Sequence, residues 1–208
     1  MTEPENPRPY EVPFPVEPMD YEGALGHLHG ILRLGICPML ETVVDMLAEL
    51  GRPDACFSVV QVAGTNGKTS TSRYTAAILA GEGLSTALYT SPELVDYTER
   101  MEVGGRPVPR GEFAHAVAAA AEAGRRVNAA REAAGQRPYD VTEFDTLTVA
   151  ACVLFAESGV DVAVLEVGMG GRWDATTATH PAATCVTGIG LDHTRILGDT
   201  LEEIAGEK

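Results

Sequence analysis

The chain has 208 residues, 45% hydrophobic and 22% charged, enough for one well-buried domain and marginal for two. Its 15 basic against 30 acidic side chains give a formal net charge of −15, which repels a polyanionic backbone and excludes nucleic acid as the expected partner. No apolar stretch approaches the roughly 20 residues of a membrane span, and the acidic start lacks a basic region followed by an apolar run, so a cytoplasmic protein without a membrane partner is expected.

Residues 1 to 18 hold six of the thirteen prolines together with several carboxylates, a composition that disfavours helix and ladder alike and reads as a flexible tail, disordered or loosely draped. From Tyr21 the pattern changes. Leu25, Leu28, Ile31 and Leu32 fall at helical spacing, and Met39, Val43, Met46, Leu47 and Leu50 repeat it before Gly51 and Pro53 end the run. Ser58 to Val62 is rich in β-formers and runs into the glycine loop Gly64 to Gly67, after which Lys68 to Ala80 reads as a helix closed by Gly81 and Gly83. Thr86 to Tyr89 is a second short strand, and Ser91 to Pro109 reads as irregular. Two helices follow, about Glu112 to Ala134 and about Glu143 to Ala156. Val160 to Leu165 is nearly all aliphatic, the pattern of a central parallel strand covered on both faces, and Ala183 to Ile189 reads as a second such strand. Cys37, Cys56, Cys152 and Cys185 lack CxxC spacing and read as core thiols.

Strands alternating with helices specify an α/β domain with a mostly parallel sheet and flanking helices, spanning 19 to 208. Within it, Gly64-Thr65-Asn66-Gly67-Lys68-Thr69-Ser70 lies between a strand and a helix, the context a phosphate cradle requires. Glycines let backbone N–H groups turn inward, the helix N-terminus adds positive potential, and Lys68 supplies a mobile cation for the β- and γ-phosphates. Thr69 or Ser70 is suited to hold Mg²⁺. Val62 stands where the full Walker pattern has its first glycine. With Gly64 three residues before Gly67, the loop resembles that of ATP-dependent ligases joining amino acids to carboxylates, the Mur ligases and the folylpolyglutamate synthases.

Further motifs separate those two. Thr90-Ser91-Pro92-Glu93-Leu94-Val95 followed by Glu99-Arg100-Met101 resembles the folylpolyglutamate synthase signature, as does Glu166-Val167-Gly168-Met169-Gly170-Gly171-Arg172-Trp173-Asp174-Ala175-Thr176. Trp173 stands where that family usually carries leucine or a similar residue. Independently of the resemblance, a carboxylate ending a buried strand is costly unless paired or metal-bound, which makes Glu166 the leading metal-ligand candidate. Asp192-His193-Thr194 and the segment from Leu197 through Lys208, read as a helix, also resemble the family, and so does Thr142-Glu143-Phe144-Asp145. Thr142 reads equally well as a helix N-cap and Phe144 as a core aromatic.

The resemblance implies a P-loop fold of the Mur-ligase central-domain type, with ATP bound by Gly64 to Ser70 and Mg²⁺ held by Ser91, Glu166, His193 and a carbamylated Lys208. It implies a catalytic set of Lys68, Glu166, His193 and Lys208, and folate contacts from Thr142, Phe144, Asp174 and Ala175. The implied partners are a reduced folate and L-glutamate, in a monomer whose second, glutamate-binding domain lies outside this chain. The alternatives are a Mur-type UDP-muramyl-peptide ligase and a non-catalytic nucleotide-binding module.

Overall fold

The computed structural model describes residues 10–31 and 39–208; the first half of the proline-rich tail, Leu32 and Cys37 lie outside the described residues. Six strands form one sheet in the order β4-β3-β2-β5-β1-β6. They are β1 (Ser58–Ala63), β2 (Thr86–Tyr89), β3 (Met101–Val103), β4 (Arg106–Pro107), β5 (Val162–Glu166) and β6 (Ala183–Val186). β2, β5, β1 and β6 run parallel, whereas β3 and β4 add antiparallel at one edge. The mostly parallel sheet expected from the sequence is therefore present.

Alternation along the central strands divides their side chains between two unequal cores. Val59, Ala87, Tyr89, Ala163 and Leu165 face the larger one, beside helices α1 (Tyr21–Ile31), α2 (Leu40–Glu49), α4 (Arg110–Ala133) and α5 (Glu143–Glu157). Leu28, Met46, Phe113, Leu147 and Phe155 are fully buried there, and each such side chain contributes about 2 kcal/mol of transfer free energy. The alanine run of α4, Ala116 to Ala120 on its buried side, lets that helix approach α5 closely. Val62, Leu88 and Val164 face the other way and meet only α3 (Lys68–Gly81), through Ala76 and Leu79. Tyr74 and Ile78 of α3 remain exposed.

Several expectations are corrected. Residues 10–18 are draped and packed, not disordered: Phe14 is buried, Val12 and Val16 pack on the large core, and Tyr10 Oη donates to the Leu50 carbonyl at 2.8 Å. Prolines keep this segment extended, and its apolar residues between them anchor it. The stretch 91–109 is not wholly irregular, since it contains β3 and β4. β6 ends at Val186 and, within this chain, lies at the sheet edge with most of its residues exposed. Cys56 is exposed and Cys185 half-buried; only Cys152, whose thiol pKa burial pushes up, is a core thiol among the described residues. The last segment is two helices, α6 (Thr194–Leu197) and α7 (Leu201–Glu207), broken at Gly198 with φ 113° and restarted by Thr200, which accepts from the Glu203 amide.

No helix among the described residues is long and apolar enough to cross a membrane.

Candidate active site

The C-terminal ends of the four parallel strands bring the sequence motifs to one edge, where open α/β sheets bind ligands. β1 leads into Gly64, β2 into Ser91, β5 ends on Glu166 and β6 leads into Thr187. Register fixes the closest pair, because Val62 lies beside Glu166 in the ladder.

Gly64 (φ 139°) and Gly67 (φ 83°) adopt backbone conformations that side chains rarely tolerate. At Gly64 a Cβ would also stand 1.8 Å from Thr187 Oγ1. The loop is held by the segment after β6: the Thr65 amide donates to Gly188 O (2.9 Å), Thr187 Oγ1 donates to Asn66 O (2.8 Å) and the Gly190 amide donates to Thr65 Oγ1 (3.0 Å). α3 starts directly at Lys68, with Gly67 as a cap that offers no side chain, so its first-turn amides point at the space in front of the loop. Lys68 Nζ turns back onto Thr65 O at 3.4 Å, while Thr69 and Ser70 are exposed. Thr187 was not singled out by sequence reading. A hydroxyl immediately after a short strand is its only signal.

Glu166 is 2% exposed. Its Oε1 accepts from Thr69 Oγ1 at 3.0 Å and its Oε2 is buried with no partner among the described residues. Burial pushes its pKa up, opposed by Thr69, by the Lys68 charge, by the Ser91 amide and by Arg73. A buried carboxylate oxygen without a donor, beside a threonine hydroxyl and the phosphate loop, suits a hard divalent cation with oxygen ligands. Lys208 also reaches this region, donating from Nζ to Gly64 O at 2.9 Å. Burial, and next the neighbouring Lys68 charge, hold its amine below the usual lysine range. His193 lies apart from these groups along the rim, half exposed, with Nε2 3.7 Å from Asp192 Oδ2. Among the described residues no three His, Cys, Asp or Glu side chains converge on one point.

The four expected folate contacts line one cavity of about 570 Å³: Thr142, Phe144, Asp174 and Ala175. His193 lines it too, together with Met169, Trp173, Ile196 and Leu197, none of which the sequence reading had assigned to a pocket. The Phe144 ring lies over Gly168, where a Cβ would come within 2.7 Å of the ring, and its centroid is 6.0 Å from that of Tyr89. Asp174 Oδ2 accepts from the Gly168 and Met169 amides (3.0 and 3.1 Å), and Oδ1 from Thr176 N and Oγ1 (3.0 and 2.6 Å). Burial pushes its pKa up against these four donors. Thr142 forms a capping box with Asp145, so its N-cap reading holds alongside its cavity position. Arg100, buried, pairs with Glu93 and approaches Glu143 Oε1 at 3.6 Å, which ties the Ser91 loop to the start of α5 beside Phe144.

Comparison with known proteins adds an independent observation. Over 190 residues, 91% of the chain, it is 43% identical to a probable bifunctional folylpolyglutamate synthase/dihydropteroate synthase of Haloferax volcanii. Over 90% of the chain it is 38% identical to a dihydrofolate synthase/folylpolyglutamate synthase of Bacillus subtilis. The chain matches the N-terminal portion of the folylpolyglutamate synthase and dihydrofolate synthase family. A Mycobacterium tuberculosis folylpolyglutamate synthase solved with ADP and AMPPCP superposes with a TM-score of 0.79 at 32% identity, over 90% of this chain and 41% of that one. A family structure described as an FPGS-AMPPCP-folate complex gives 0.79 at 32% identity, over 91% of this chain and 45% of that one. The chain spans 22% and 43% of the two curated relatives named above. No family model matches it.

Proposed function

We propose that the complete protein is an ATP-dependent ligase that joins the amine of L-glutamate to the terminal γ-carboxylate of a reduced folate. Dihydropteroate is a second acceptor to be tried in the same assay. The observation that carries the reading is the convergence, at one sheet edge, of the Gly64–Ser70 loop, the unpaired Glu166 oxygen and the cavity built around Phe144. Support also comes from the relatives' names and from the nucleotide and folate in the solved family structures.

In this reading the loop amides and Lys68 bind the ATP phosphates, and Phe144, Ala175, Thr142 and Asp174 shape the folate site. Mg²⁺ would be held by Ser91, Glu166, His193 and Lys208, and supplies charge neutralisation for the transferring phosphoryl group. Lys208 acts as an oxygen ligand once CO₂ has added to its amine. That addition needs the neutral amine, which the lowered pKa of Lys208 favours. The γ-carboxylate attacks the γ-phosphate to give an acyl phosphate and ADP, and the glutamate amine then displaces phosphate to form the amide. Positioning and electrostatics supply the catalysis, with no protein nucleophile. Glutamate binding is assigned to a second domain of the complete protein, which acts as a cytoplasmic monomer.

The test is ADP release by the complete protein with ATP, Mg²⁺ and glutamate, with and without tetrahydrofolate. Release that requires both folate and glutamate and disappears in Glu166→Ala upholds the ligase. Release indifferent to folate removes the substrate assignment, and binding of a UDP-muramyl peptide in its place would favour the Mur-type alternative.

A further inference from the structure

Trp173 is the single tryptophan of the chain, and the residue is 53% exposed while lining the same cavity as Phe144. Large exposed aromatics on loops are normally mobile, but this one has little freedom in its backbone. On one side Asp174 is fixed by four hydrogen bonds. On the other, the Arg172 amide donates to Glu207 O at 3.0 Å and Arg172 Nη2 donates to Gly206 O at 2.8 Å. The indole is thus carried on a peptide tied at both ends to different elements.

The polar groups of the cavity are, by contrast, largely engaged with one another. A carboxylate has about four lone-pair sites, and Asp174 fills that many with protein donors. Thr142 Oγ1 donates to Asp145 Oδ2 at 2.7 Å and accepts from the Asp145 amide at 3.1 Å. What the cavity offers a ligand is chiefly apolar and aromatic surface: Phe144, Trp173, Met169, Ile196 and Leu197. Its volume of about 570 Å³ lies in the range of small-molecule sites.

Resting on the ligase reading, we propose that Trp173 is a specificity-determining residue of this pocket, whose indole packs on the flat heterocyclic head of the folate and adds a second aromatic surface to that of Phe144. Aromatic contact of this kind recognises any planar fused ring by its face and leaves the aminobenzoyl-glutamate end and the nucleotide to other residues.

The experiment measures equilibrium binding of tetrahydrofolate, of p-aminobenzoylglutamate and of ADP to the complete protein, the first two at saturating ADP. It compares wild type with Trp173→Leu and Trp173→Phe. Trp173→Leu is expected to weaken tetrahydrofolate about ten-fold and Trp173→Phe about three-fold or less, with both other ligands unchanged. Unchanged tetrahydrofolate affinity in Trp173→Leu overturns the proposal and leaves the ligase reading intact, as does an equal loss for all three ligands, which marks a structural role. A wild-type protein that binds ADP but not tetrahydrofolate removes the ligase reading, and this inference with it.

Discussion

Two glycine-rich loops leave neighbouring parallel strands at the same edge and are finished in opposite ways. In the loop from Gly64 to Gly67 the side chains that hold it, Thr65 and Thr187, donate to the Gly190 and Asn66 carbonyls, and Thr65 accepts from the Gly190 amide, so the amides of the following helix start stay directed outward. In the loop from Gly168 to Thr176 the chain's own carboxylate, Asp174, takes the amides of Gly168, Met169 and Thr176. Glycine alone therefore does not mark an anion cradle. The first loop commits its Thr65 amide to Gly188 but leaves the first-turn amides of α3 facing outward, whereas the second spends its amides internally and becomes a rigid wall for the cavity.

The largest effects begin with the removal of that internal acid. Asp174→Ala leaves four donors without their acceptor, the two on Thr176 buried and the Gly168 and Met169 amides half-buried, and is expected to lower unfolding free energy by about 3 kcal/mol in denaturant titrations. ADP affinity should survive in the folded fraction; if it falls in step with folate affinity, the two loops do not act separately.

Gly64→Ala attacks the open loop. Its Cβ meets Thr187 Oγ1 at 1.8 Å and its φ of 139° is strained for alanine, a combined cost of about 3 kcal/mol. Calorimetry should find ADP binding lost, and adding Thr187→Ala should recover only part of it because the backbone strain remains. Full recovery would show that sterics alone set the loop.

Gly168→Ala sharpens the contrast at about 2 kcal/mol, since its Cβ meets a displaceable ring, Phe144, and not backbone. Folate affinity should drop with ADP affinity unchanged, and loss of ADP binding instead would contradict the division of labour.

The smallest effect concerns a third loop at this edge, Ser91 to Arg100, also closed by acids. Glu99 accepts from the Leu94, Val95 and Asp96 amides, and Asp96 from Thr98 and the Tyr21 hydroxyl. The Tyr21 bond, with the Thr98 and Arg110 bonds, holds the Asp96 carboxyl well below its usual range. A depressed carboxylate pKa contributes stability above the ordinary value of 3.8 that is lost as pH falls below it. Tyr21→Phe should cost less than about 1 kcal/mol at pH 7 and flatten the acid limb of a stability–pH curve. An unchanged acid limb would remove Tyr21 from that network.

The sequence made the sheet, its helices and the motif-bearing loops readable because each rests on a local pattern: an aliphatic strand, a glycine turn, a capped helix. Its silences have physical causes. β3 is three residues long and lies among charges and glycines, too short for alternation to register. β6 reads as a central strand, but exposure depends on what packs beside it, which no window of sequence contains. Phe14 looked free because the prolines around it rule out regular structure without ruling out burial. At the site, Glu166 and Phe144 were legible from motif and strand end. Thr187, Ile196 and Leu197 were not, because their roles arise only when the segments after β5 and β6 close on the phosphate loop and the cavity.

One tie described above bears on how the protein is made. The hydroxyl of Thr187 bonds Asn66 across 121 residues of chain, and the Thr65 amide bonds Gly188 beside it. During synthesis the phosphate loop leaves the ribosome early, but the strand that shapes it arrives last of the six. A nascent chain that has emerged only as far as Glu166 has its glycine loop and α3 but lacks the Thr187 and Gly188 partners that hold the loop. If the complete protein binds ATP as proposed, the nucleotide rewards only a chain whose sheet extends through β6, and its binding becomes a late checkpoint on the folding of this part of the molecule.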